Sequence, residues 1–161
     1  NLIFREEERE MIDCAKFFGM GVTPYSSLAA GRLARNKKAD TKRLELDSYA
    51  KFKYEKTEQI DQLIIDREEE VADRLHVSMT AVALAWLIAK GCVPIAGATK
   101  PVQIDAMKEA SKLYLDQETI DYLDELYVPH VLVGVMAQNK KGSSPFSNKK
   151  TDMKKLEKSK H

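Results

Sequence analysis

The sequence predicts an α/β protein that forms the end of a larger barrel, and three observations carry the prediction. Amphipathic helical stretches alternate with short β-branched or apolar runs; a glycine, Gly19 and then Gly91, stands at each passage from helix to strand; and only two convincing strands occur. A parallel pair alone leaves open edges and an uncovered face, so this segment calls for more sheet than it contains.

Glu6 to Phe18 places Met11, Ile12, Ala15 and Phe18 at helical spacing, and Gly19 stands where a C-cap glycine belongs. Gly21-Val22-Thr23-Pro24-Tyr25 then reads as a buried strand opening into the small-residue loop Ser26 to Gly31. Asn36 to Glu58 is polar and Lys-rich, a surface excursion with a short helix expected at Leu46 to Phe52. Ile60, Leu63, Ile64, Val71 and Leu75 mark an amphipathic helix from about Glu58 to Leu75, whose acidic run Asp66 to Glu70 reads as a solvated face. Ser78 is the expected N-cap of an all-round apolar helix, Met79 to Lys90, stopped by Gly91 and buried against a sheet. Cys92 to Gly97 reads as a second buried strand, and Ala98 to Pro101 turns it into a helix with proline in the first turn. Asp116 caps the last predicted helix, Gln117 to Leu126, with Ile120, Leu123 and Leu126 on one face. Two parts follow: residues 1–130, and a tail over 131–161 expected to be largely disordered.

The chain has 161 residues, 43% of them hydrophobic, enough for a sizeable core. Its formal charge of +1 gives no reason to expect a nucleic-acid or membrane partner. The balance is uneven, because Lys140 to His161 holds eight Lys against two acids, net +6, leaving −5 on the preceding 139 residues. Cys14 and Cys92 show no ligand spacing, so no metal is expected, and both read as buried thiols in a reducing compartment. No apolar run reaches membrane-spanning length and no secretory leader begins the chain. Ser159-Lys160-His161 misses a peroxisomal terminus by its last residue, so the expected location is cytoplasmic.

Four stretches carry a family resemblance: Asn1 to Ile12, Gly21 to Leu33, Ala83-Leu84-Ala85-Trp86-Leu87, and Pro94-Ile95-Ala96-Gly97-Ala98-Thr99-Lys100-Pro101. In order and spacing they resemble the aldo-keto reductase superfamily, most of all its fungal aryl-alcohol-dehydrogenase-like and potassium-channel β-subunit-like branches. The resemblance covers residues 1 to 130 and implies the C-terminal half of a (β/α)8 TIM barrel, with its ligand site at the C-terminal ends of the strands.

It further implies an NADP(H) site. Tyr25 falls where the family stacks an aromatic on nicotinamide, and Ser26, Leu28, Ala29 and Gly31 fall on the loop around the diphosphate, where small residues let backbone N–H groups approach an anion. Arg35 follows that loop, as does Arg32. Gly97, Thr99, Lys100 and Gln103 fall on the adenosine and 2′-phosphate segment. Two departures stand out: many members carry a basic residue where Gln103 stands and an adenine-contacting Asn where Met107 stands. Read without the family, Tyr25 is a core aromatic, Lys100 a surface lysine, and His76 and His130 isolated histidines.

Family members reduce carbonyls by hydride transfer using a Tyr acid tuned by a Lys, with an Asp and a His, all in the first half of the barrel. None of those motifs is present, so no residue is carried over as catalytic. The expected partners are a small carbonyl or alcohol substrate in the complete enzyme and the missing N-terminal barrel half. Three readings stay open: part of a complete reductase, a non-catalytic nucleotide-binding or assembly module, or a regulatory channel-β-like subunit.

Overall fold

The computed structural model describes residues 1–35 and 57–129. The expected excursion with its helix at Leu46 to Phe52, His130 and the 131–161 tail lie outside them.

Five α-helices and two 3-10 turns make up the described residues. After the turn Glu6–Arg9 comes α1, Met11–Phe17. It ends as predicted: Gly19, at φ 64°, lets its own N–H reach the Lys16 carbonyl at 3.1 Å and the Met20 N–H reach Ala15 at 2.8 Å. The face that helix offers differs from expectation, since Ala15 is buried while Met11 and Phe18 are exposed.

α2 spans Glu58–Leu75 and α3 spans Met79–Ala89. Between them His76 takes a left-handed conformation, φ 55°, and ends α2 as a C-cap, a structural role for one of the isolated histidines. Ser78 caps α3 as its sequence position requires, its Oγ accepting from the Ala81 N–H at 3.1 Å. Glu109 Oε2 in turn accepts from the Ser78 N–H and hydroxyl at 3.1 and 2.9 Å. Nearly every residue of α3 is buried, Trp86 among the deepest. The partners differ from the predicted sheet: α3 packs on α2, on α4 (Pro101–Ala110) and on the turn Ala29–Ala34.

The phase of α2 is a second correction. Ile60 and Leu63 are exposed, and the buried stripe runs through Asp61, Ile64, Ile65, Glu68, Val71 and Ala72. Glu68, expected in solvent, is 0% exposed with neither carboxylate oxygen hydrogen-bonded. Burial pushes its pKa well above the ordinary 4.5, and Glu69 adds to the shift.

α5, Gln117–Asp124, starts at Asp116, whose Oδ1 accepts from the Thr119 N–H at 2.8 Å. A clamp joins this helix to the first residues of the chain. Arg5 lies over the rings of Trp86 and Tyr127, at 5.2 and 5.0 Å, and pairs with Asp124 at 2.9 Å and Glu8 at 2.6 Å. Asp124 also accepts from Trp86 Nε1 at 2.8 Å and pairs with Lys90.

The two predicted strands are half-buried extended segments. They meet in one parallel bridge, Val22 with Cys92, and no longer strand forms among the described residues. Along 92–97 exposure alternates, with Cys92 buried but Val93 and Ile95 each 63% exposed. One face therefore rests on the helices and the other is open, which corrects the expectation of fully buried strands. Of the thiols expected to be buried, Cys92 is and Cys14 is exposed. No single described helix is long and apolar enough to cross a membrane.

Candidate functional site

The bridge sets two chain segments side by side, and each runs on into a wall of one cleft of about 600 Å³. The first wall is the loop after Tyr25. Ser26, Ala29, Ala30 and Gly31 all take positive φ, between 48° and 92°. For the three non-glycine residues this costs about 1 kcal/mol each, so the surroundings must enforce it. Enforcement comes from beneath: the Ser27 hydroxyl, 1% exposed, donates to the Pro24 carbonyl at 3.2 Å, and Leu33 is fully buried. Short bonds from Ala29 N–H to Ser26 (2.9 Å) and from Gly31 N–H to Leu28 (2.8 Å) hold the curl. Asn1 Nδ2 donates to the Ser26 carbonyl at 2.8 Å from outside.

The second wall is Ile95 to Thr99 and the first turns of α4, with Thr80 between the walls. At the start of α4 the Gln103 side chain turns back. Its Oε1 accepts from the Thr99 N–H at 2.7 Å, the Lys100 N–H at 3.0 Å and the Thr99 hydroxyl at 3.3 Å.

Of the residues expected at a cofactor site, Tyr25, Ser26, Leu28, Gly31, Arg35, Gly97, Thr99 and Gln103 line this one cleft. Two do not. Ala29 is 0% exposed and shapes the loop from below, a correction that follows from its left-handed turn into the core. Lys100 is exposed beside the rim without lining the cleft. The Tyr25 ring is 78% exposed, which removes the reading of a core aromatic. Sequence reasoning missed Ser27, Ala30, Ala34, Thr80, Ile95, Ala96 and Ala98 as lining residues. Of these, Ser27, Ala30 and Ala98 had a signal, each lying between two residues already singled out. Thr80 comes from a distant helix and had none.

A smaller cavity of about 280 Å³ lies on the other side of the bridge, between α1 and the Trp86-Leu87 pair. Cys92 reaches it, but burial pushes that thiol's pKa up, away from nucleophilic use. Among the described residues no group of three His, Cys, Asp or Glu could hold a metal ion.

Residues 1–128 match the sequence profile of the Aldo/keto reductase family. Among relatives, the provisionally named aryl-alcohol dehydrogenase AAD16 of Saccharomyces cerevisiae is 36% identical over 130 residues, 80% of this chain and 38% of that protein. The versiconal hemiacetal acetate reductase of Aspergillus parasiticus is 38% identical over 135 residues, 82% of this chain and 39% of its own length. The aldo-keto reductase dtxS3 of Metarhizium robertsii is 37% identical, with 83% and 36% covered. The chain thus spans well under half the length of these relatives.

Proposed function

We propose, for a chain that belongs to the aldo/keto reductase family, that its larger cleft holds the nicotinamide dinucleotide NADP(H) and that it serves as the cofactor-binding, C-terminal half of a reductase of aldehydes and ketones. The observation that carries this reading is the convergence of eight expected residues on one cleft with an exposed ring at Tyr25.

The residues fit such a group. Tyr25 offers a flat, solvent-facing ring for stacking. The curled loop Ser26 to Gly31 presents small residues and backbone, beside the cationic Arg35. Thr99 and the α4 start face the other end. When bound, the cofactor supplies a hydride for a carbonyl carbon. The part of this chain is to bind and orient, and no residue of it is assigned as the acid.

The half-barrel reading draws on exposure. Val93, Ile95 and Tyr25 lie on the open face of the bridged segments, the face a closed barrel turns inward, while the opposite face rests on helices. A second reading, a non-catalytic nucleotide-binding or regulatory module, is favoured by the cleft lining, which among the described residues holds no carboxylate or histidine. Equilibrium titration with NADPH tests the binding; absence of saturable binding refutes both readings. An assay of aldehyde reduction separates them from a self-sufficient enzyme, since this chain alone is expected to show no turnover.

A further inference from the structure

We propose that Glu68 is a pH-responsive element built beneath the larger cleft: as a neutral acid it lets α2 seat against α3 and the turn Ala29–Ala34, and as a carboxylate it unseats α2 and loosens that wall.

Glu68 stands within the buried stripe of α2, among Ile64, Ile65, Val71 and Ala72. Its own exposure is 0%, and neither carboxylate oxygen has a hydrogen-bond partner. The elements packed on α2 offer it no countercharge. α3 carries no titratable side chain from Met79 to Ala89. α5 brings the acids Glu118, Asp121 and Asp124 and the Tyr122 hydroxyl, which donates to Glu70. The turn Ala29–Ala34 brings Arg32, which makes no hydrogen bond to Glu68. On α2 itself every charged residue is acidic except Arg67 and Arg74, and both are turned to α5, Arg67 on Glu125 and the Tyr122 carbonyl, Arg74 on Thr119.

A carboxylate so placed has neither water nor a partner, so the neutral acid is the form the packed core accepts. Burial is the main cause of its raised pKa, and Glu69 adds to it. The seating of α2 is therefore complete below the ordinary 4.5 and weakens as pH rises through the folded-state value.

The turn is the contact poised to respond. It packs on both α2 and α3 through Ala29 and Leu33, each 0% exposed, while its Ala30, Gly31 and Ala34 line the cleft. Ala29 and Ala30 hold left-handed backbone, φ 48° and 57°, a conformation that relaxes unless packing enforces it. When α2 admits water to an ionised Glu68, that enforcement is lost and the cleft wall loosens. The device acts on whatever the cleft holds, and its test needs no ligand.

Amide hydrogen exchange of residues 26–34, followed from about pH 5 to about pH 8 in the unsubstituted chain and in Glu68→Gln, provides that test. Comparing the two proteins at each pH cancels the intrinsic pH dependence of exchange. Protection of 26–34 in the unsubstituted chain should fall at least about tenfold relative to the Glu68→Gln variant as pH rises, with α4, which packs on α3, changing far less. Glu68→Leu, equally untitratable, gives the same comparison if the amide variant folds poorly. A protection ratio that stays constant with pH would overturn the inference, as would an equal fall in α4, since the loosening would then be global and not seated at the turn.

Discussion

Val93 donates its backbone N–H to the carbonyl of Val22 at 2.8 Å, and this contact aligns the two walls of the larger cleft. Tyr25 follows three residues after one partner and Gly97 four residues after the other. Chain register at the bridge is therefore transmitted to both ends of the site with little slack.

Removing that one donor should uncouple the walls. Val93→Pro deletes the N–H at a cost of about 1–3 kcal/mol while leaving every helix intact. Far-UV circular dichroism should change little and nucleotide affinity should fall at least tenfold. Unchanged affinity would mean the walls are aligned by the helices alone.

Glu68 carries a pH signature. Its folded-state pKa lies above its unfolded value, so the fold is favoured in full below the ordinary 4.5 and loses that advantage as pH rises through the folded-state value. Glu68→Leu should raise stability by about 1–3 kcal/mol at neutral pH, by relieving an unpartnered buried carboxylate. The gain should shrink toward pH 4.5 in urea melts. A gain independent of pH would place the effect in packing. Asp116 has the opposite sign: hydrogen bonds from Thr119 hold its carboxyl below the usual range, so its contribution is lost as pH falls.

Ser78→Ala removes a cap and the hydroxyl that Glu109 accepts from. The expected loss is about 1–2 kcal/mol in denaturant unfolding, at the upper end of cap values because α3 is the central helix. Ser78→Asp should keep the cap yet set a carboxylate against Glu109, and so rescue only part of the loss.

Tyr25→Ala touches no core contact, since the ring is 78% exposed. Stability should not move, while NADPH and NADH should weaken alike, by roughly 1 kcal/mol or about fivefold each. Titration of both checks this; a loss confined to one cofactor would place Tyr25 at the adenosine end.

Helix ends were the most legible part of the fold, because capping is local chemistry: Ser78, Asp116, Gly19 and Gly91 each act where their residue type requires. Helix rotation was less so. The run Asp66 to Glu70 reads as solvent-facing by charge, yet 3.6-residue geometry places Glu68 in line with Ile64, Ile65 and Val71, and tertiary packing prevailed. The cleft was legible as two separate segments carrying a family pattern, but the bridge that joins them is a contact across seventy residues that periodicity does not encode. Met107 shows the limit well, singled out as a departure and found in the cleft wall one turn beyond Gln103.

Hydrogen–deuterium exchange of the chain with and without saturating NADPH tests the central claim most directly, because it reports where a ligand sits without requiring catalysis. Protection is expected in two stretches far apart in sequence, Tyr25 to Arg35 and Gly97 to Gln103, with α5 and the α1 and Trp86-Leu87 walls of the 280 Å³ cavity unaffected. Protection of only one stretch, or protection centred on the smaller cavity, would contradict it.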